Sequence, residues 1–153
     1  MIKIDSIDRK ILSLLQKKGD LSLAELSESV NLTTTPCWKR LKKLEECGVL
    51  KQRVALLDQV KLGFSFTAFV HIKTTNHCSE WYKSFTDKVL ALDEVMELYR
   101  MAGNYDYMMK IVVADMAAFD LFYKKLVASI DGLTDVTSTF AMEQMKHTTA
   151  LPL

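Results

Sequence analysis

The apolar residues of this chain change their spacing at Gly63, and that change limits the folds open to it. Before Gly48 they recur at i, i+3 or i+4 and i+7, the spacing of a helix with one buried face. After Gly63 they begin by alternating: Phe64, Phe66, Ala68, Val70 and Ile72 interleave with Ser65, Thr67, Phe69, His71 and Lys73, which is a strand with one wholly apolar face. Gly19, Gly48, Gly63, Gly103 and Gly132 all fall where the periodicities break. A chain of 153 residues organised in this way predicts an all-helical unit followed by a mixed one.

The helical part has its own punctuation. From Asp5, Ile7, Ile11, Leu14 and Leu15 share one face of a first helix that Gly19 closes. Ser22 followed by Glu25 is a capping box for a second helix over Leu21–Val30, with Leu23, Leu26 and Val30 on one side. After the turn at Asn31 and Leu32 the third helix opens within Thr33–Pro36. The hydroxyls of Thr33, Thr34 and Thr35 are expected to cap it, and Pro36 is tolerated only in a first turn. Cys37, Leu41 and Leu44 form its apolar stripe, Lys39, Arg40, Lys42 and Lys43 take the rest of the cylinder, and Gly48 stops it.

Two short helices joined by a tight turn, the second basic and hydroxyl-rich at its start, form a candidate helix-turn-helix whose second helix enters the major groove. On this reading Lys39, Arg40 and Lys43 meet phosphates or base edges, and Thr34 and Thr35 read sequence. The plainer alternative is a helical hairpin with a solvated basic face. The following VLKQRVALLD is expected to be extended, the strand that a winged variant requires. Residues 1–57 then make a winged helix-turn-helix domain and residues 58–63 a linker.

Charge supports a polyanion partner for the first part only. Residues 1–62 carry 12 Lys and Arg against 8 Asp and Glu, and residues 63–153 carry 8 against 11, so the halves stand at +4 and −3. MIKIDSIDRK lacks the apolar core of a signal peptide and no run of 18 apolar residues exists, so a cytoplasmic protein without a membrane partner is expected. Cys37, Cys47 and Cys78 form no CxxC pair, and His71, His77 and His147 stand at no ligand spacing; disulfides, a metal site and a cofactor are therefore not expected.

Beyond the first strand, Trp81, Phe85 and Val89 mark a helix over Cys78–Leu90, and Glu94–Met101 and Tyr105–Val113 read as strands joined by the turn Ala102–Gly103–Asn104. Asp115 caps a helix striped by Phe119, Phe122, Leu126 and Ile130, and Val136, Ser138, Phe140 and Met142 alternate in a last strand. The order βαββαβ predicts a ferredoxin-like sandwich over residues 64–153, both helices on one face of a four-stranded sheet, so the whole chain is of α+β class. Tyr105, Tyr107, Met109, Ile111 and Val113 should face the helices; Asp106, Met108, Lys110, Val112, Thr137, Thr139 and Ala141 should face away, on a surface whose mixed composition suits a subunit interface or a small-ligand site.

The segments IDRKIL, LAEL, LTTTPCWKRLKKLEECGVL, FTAFVHI, MAGNYDYMM and MEQMKHTTALPL, in this order over almost the whole chain, resemble the Lrp/AsnC (feast/famine) family of bacterial transcriptional regulators. NLTTTPCWKRLK and TTALPL are similar in particular to its cysteine-responsive detoxification-regulator branch. The resemblance implies a DNA-binding regulator modulated by a free amino acid and assembled as a dimer through the C-terminal sheets, then further, often to an octamer. It maps the recognition helix onto Thr33–Glu46, with the family's Pro and Arg present as Pro36 and Arg40 and with Trp38 where many members have a smaller residue. It maps the effector site onto Met101, Ala102, Gly103, Asn104 and Asp106 with Thr139 nearby. The chemistry is suitable: turn N–H groups for the ligand's carboxylate, Asp106 for its ammonium, and Met101, Met108 and Met116 to line a side chain such as that of cysteine, methionine or leucine.

Other classes fit less well. A stand-alone sensing module would lack residues 1–57, and a small enzyme would need a motif such as GxSxG, a P-loop, GxGxxG or HExxH, none of which occurs. A nucleoid-associated protein without effector is one alternative; a thiol-based redox regulator acting through Cys37 is another, opposed by the place of Cys37 in the Leu41–Leu44 stripe.

Overall fold

The computed structural model describes residues 3–153; residues 1 and 2 of the expected first domain lie outside the described residues. The chain divides into two compact units, one running to Leu57 and including Lys146–Leu153, the other Asp58–Met145. The expected second domain thus loses its last eight residues to the first unit.

In the first unit, α1 (Ser6–Lys17) begins at Asp5, whose carboxylate accepts the Asp8 N–H at 2.8 Å while the Asp8 carboxylate accepts the Asp5 N–H at 3.2 Å. Ser22 and Glu25 make the same reciprocal arrangement at the start of α2 (Leu23–Ser29). Asn31, at φ 55°, turns the chain into α3 (Thr34–Glu46). Here the expected hydroxyl cap does not form: Thr33 is the N-cap but makes no side-chain hydrogen bond. Pro36 is the third residue of the helix, and it lacks the N–H that an N-cap hydroxyl would accept. At the far end Gly48 adopts φ +72°, and its N–H donates to Glu45 O at 2.9 Å. Ile11, Leu12, Leu15, Leu26, Val30, Cys37, Leu41 and Leu44 form the core.

The expected wing strand is not present among the described residues: residues 51–57 join no sheet, and Val54, Leu56 and Leu57 are exposed. A strand needs a partner for its N–H and C=O groups, and residues 51–57 make no backbone hydrogen bond among the described residues.

The second unit is a four-stranded antiparallel sheet in the order β2-β3-β1-β4. Its elements are β1 (Phe66–Thr74), α4 (Ser79–Leu90), β2 (Val95–Arg100), β3 (Tyr107–Val113), α5 (Met116–Ser129) and β4 (Leu133–Phe140). Ala68, Val70 and Ile72 of β1 and Tyr107, Met109, Ile111 and Val113 of β3 are buried with Phe85 and Val89 of α4 and Phe119, Phe122 and Leu126 of α5, so both helices cover one face. Asp115 caps α5 through the Ala118 N–H at 2.8 Å. β4 ends at Phe140, and Met142 stands free beyond it.

Alternation fails just before β3. Tyr105 does not face the helices: its ring lies 5.0 Å from that of His71 and 5.1 Å from Lys73 Nζ, both on the other face. The cause is Asp106, which hydrogen-bonds to the end of β1 through both its backbone and its carboxylate, so the regular pleat starts only at Tyr107. The segment from Asp58 to Phe64, expected as a linker over 58–63, is a folded turn, with Asp58 Oδ1 accepting the N–H groups of Val60 and Lys61, both at 3.1 Å.

Candidate functional sites: the α3 surface and the turn before β3

The cylinder of α3 is split by burial. Cys37, Leu41 and Leu44 are buried, while Thr33, Thr34, Thr35, Pro36, Lys39, Lys42 and Lys43 are exposed. Trp38 stays about half exposed with Lys42 Nζ 5.0 Å from its ring centroid, so it belongs to the cationic face and not to the core.

Arg40 behaves differently from the lysines. Its guanidinium reaches back to the start of α1, 2.5 Å from Asp5 Oδ2 and 2.7 Å from Asp8 Oδ1. Asp8 is only 2% exposed, so this ion pair fixes the angle between α3 and α1 and leaves the charge of Arg40 compensated within the protein. The Asp8 N–H and the Arg40 guanidinium hold the Asp5 carboxyl below the usual carboxylate range. The Asp5-x-x-Asp8 spacing could have signalled a capping box; the bond to Arg40 had no local signal. Cys37 is fully buried and burial raises its thiol pKa, which works against the thiolate a redox sensor needs.

In the second unit the Met101 N–H donates to Asp106 O at 2.8 Å, closing a loop over Ala102, Gly103, Asn104 and Tyr105. Gly103 takes φ +151°, which L side chains rarely adopt. Met101, Ala102, Gly103 and Asn104 are exposed, and the N–H groups of Ala102, Gly103 and Asn104 make no hydrogen bond among the described residues. Asp106 Oδ2 accepts the N–H of buried Thr74 at 2.8 Å. Its Oδ1 has no donor among the described residues, and Asp106 pairs with neither Lys110 nor Arg100: Lys110 reaches Glu97 at 3.6 Å, and Arg100 lies over the Tyr82 ring at 5.8 Å.

The remaining expected residues lie elsewhere. Thr139 pairs with Phe69, whereas Tyr107 pairs with Ile72, so within one chain Thr139 and Asp106 are four residues apart along the strands and two strands apart across them. That is roughly 13 Å by 10 Å, too far for one amino acid to touch both. Met116 begins α5, after the end of β3, and the seven residues of β3 separate it from the turn by roughly 20 Å. It does not line the same site as Met101.

Among the described residues there is no cluster of three His, Cys, Asp or Glu side chains able to hold a metal ion, and no helix is long and apolar enough to cross a membrane.

Comparison with known proteins agrees with this two-part organisation. Residues 4–51 match the family model described as winged helix-turn-helix DNA-binding, and residues 67–151 match the Lrp/AsnC ligand binding domain. The chain is 59% identical to the DNA-binding transcriptional activator DecR of Escherichia coli (strain K12), over 98% of this chain and 99% of that one. The crystal structure of an AsnC family transcriptional regulator from Agrobacterium tumefaciens is 51% identical and superposes with a TM-score of 0.93 over 97% of this chain and 96% of that chain. The transcriptional regulator NMB0573 from Neisseria meningitidis, solved as a complex with L-Met, is 35% identical, with a TM-score of 0.91 over 98% and 97% of the two chains.

Proposed function

This chain belongs to the Lrp/AsnC family of DNA-binding transcription regulators, and from that premise we propose which of its surfaces meet DNA and a free amino acid. The first turn of α3, Thr33 to Pro36, enters the major groove with Thr34 and Thr35 toward the base edges. Lys39 and Lys43, joined by Lys42, neutralise phosphates, and Arg40 positions the helix instead of touching DNA. The observation that supports this reading is the division of α3 itself, whose apolar stripe is buried while its hydroxyls and three lysines are exposed.

The effector is a free amino acid at the turn before β3. Its carboxylate takes the N–H groups of Ala102, Gly103 and Asn104, its ammonium takes Asp106 Oδ1, and Met101 lies beside its side chain. The L-Met complex of the Neisseria regulator favours a sulfur-containing side chain within the set cysteine, methionine and leucine. Thr139 joins the site from a second copy. The chain works as a dimer paired through the outer faces of its sheets, assembled further to an octamer, in the cytoplasm where its DNA is.

Salt titration of DNA binding tests the first half. Lys39→Ala and Lys43→Ala should each flatten the slope of log affinity against log salt by about 0.9. Unchanged affinity and slope would reject the interface. For the second half, Asp106→Asn keeps an acceptor for the Thr74 N–H while removing the charge. Calorimetry with L-cysteine, L-methionine and L-leucine should show at least about a tenfold loss for the amino acid that binds the parent, with DNA binding retained. Equal binding by parent and variant would remove Asp106 from the site.

A further inference from the structure

The chain does not end on the sensing unit. After β4 the Ala141 N–H still donates to Thr67 O at 3.0 Å, and then the chain leaves the sheet, with Met142 and Met145 standing in solvent. Lys146–Leu153 clusters with the first unit. There the Gln16 side chain of α1 takes both backbone groups of Leu151: Nε2 donates to Leu151 O at 3.2 Å, and Oε1 accepts the Leu151 N–H at 2.5 Å. A single amide thus pairs with the chain as a neighbouring strand would, whatever side chain residue 151 carries. Thr148 Oγ1 accepts the Ala150 N–H at 3.1 Å, and Pro152 biases Leu151 toward extended backbone. Leu151 and Leu153 line a groove of about 940 Å³ whose other walls include Leu12, Leu15, Leu50 and Val54.

We propose that Lys146–Leu153 is a strap through which the sensing unit acts on the DNA-binding unit. The proposal rests on the reading that an amino acid binds the sensing unit with Thr139 of a second copy's β4 beside it, so that the strap it acts on is that second copy's. Thr139 stands two residues before Ala141, so a ligand that shifts the end of β4 pulls directly on the segment leading to the strap. The hold is a releasable one: two hydrogen bonds and two leucines that remain 69% and 48% exposed. A contact this light opens without unfolding the helices beneath it. The other covalent path, through Asp58 to Phe64, is braced by its own hydrogen bonds and has less freedom to report a change.

The test uses the full chain with Gln16→Ala and Leu151→Pro, singly and together; the second removes the N–H that Gln16 accepts. DNA affinity is measured with and without saturating L-cysteine, L-methionine or L-leucine, and ligand binding by calorimetry. Each variant should bind ligand, and DNA without ligand, within about twofold of the parent, while the ligand's effect on DNA affinity falls at least about fivefold. The double variant should be no worse than either single one, since all three break one pair. A ligand effect as large as the parent's in either single variant overturns the strap. If none of the three amino acids alters the parent's DNA affinity, the effector reading fails instead, and calorimetric unfolding decides the strap. The variants should then lower the transition of the first unit by roughly 5 °C while leaving that of the sheet unit in place. Traces identical to the parent's overturn it.

Discussion

Among the described residues, the apolar core of the helical unit has eight small or aliphatic side chains and no aromatic ring, whereas the core of the sheet unit has fourteen buried residues, among them Phe85, Tyr107, Phe119 and Phe122. Each large side chain taken fully out of water contributes about 2 kcal/mol, and units of some sixty residues bury too little surface to be stable by a wide margin. The helical unit must also leave one side of α3 polar. It makes up the difference with directional bonds: two capping boxes and the Arg40 bridge to Asp5 and Asp8. The sheet unit relies on its ladders and on ring contacts such as Trp81 on Phe85 at 5.0 Å and Phe85 on Tyr107 at 4.5 Å. Stability thus resides in apolar volume in one unit, and to a greater degree in placed charges in the other.

The largest effect should come from opening a hole in the ring-filled core. Phe122, 1% exposed, lies between α5 and the sheet, and Phe122→Ala should destabilise that unit by about 4 kcal/mol in urea unfolding. A loss below about 1 kcal/mol would break the contrast, because a core dependent on volume cannot absorb such a cavity cheaply.

Arg40→Ala comes next and sharpens the comparison. It leaves the carboxylate of Asp8 buried without its cation, and the helical unit should lose about 3 kcal/mol, with Arg40→Lys recovering only part. Were Arg40 a DNA contact, the loss would appear in affinity and salt slope while urea unfolding stayed as in the parent.

The smallest effect is acid sensitivity of the helical unit. Asp5 is held below its ordinary pKa first by the Asp8 N–H and then by Arg40, and Glu25 first by the Ser22 hydroxyl and then by the Ser22 N–H. A carboxylate with a depressed folded-state pKa stabilises fully above its unfolded pKa, about 4, and that contribution is lost as pH falls through the lower folded value. Stability of the helical unit should therefore decline below pH of about 4, and Asp5→Asn or Glu25→Gln should make that decline shallower. Circular dichroism across this range reads the difference; parallel curves for parent and variants would show that the caps carry no such linkage.

Much of this organisation could be read without coordinates. The Phe119, Phe122, Leu126 and Ile130 stripe, the capping box at Ser22 and the β1 alternation are all settled by residues within a turn or a pleat of one another. The exposed face of α3 followed from the same periodicity. The errors came where a local rule met a second constraint. Thr33 lost its cap because Pro36 removed the donor, Tyr105 changed face because Asp106 bonded to β1, and the strand expected within 49–58 joined no sheet.

The sequence by itself determined the order and type of the five helices and four strands among the described residues and the apolar side of most of them, since those depend on neighbours three or four residues away. Only the tertiary structure decided the partners of the charges and amides. Arg40 meets Asp5 and Asp8 across 35 and 32 residues, Asp106 meets Thr74 across 32, and Gln16 meets Leu151 across 135. A polar side chain carries no periodic mark of its distant partner. Its place is fixed only when packed apolar faces bring two remote stretches together and the exclusion of water makes an unpaired group costly.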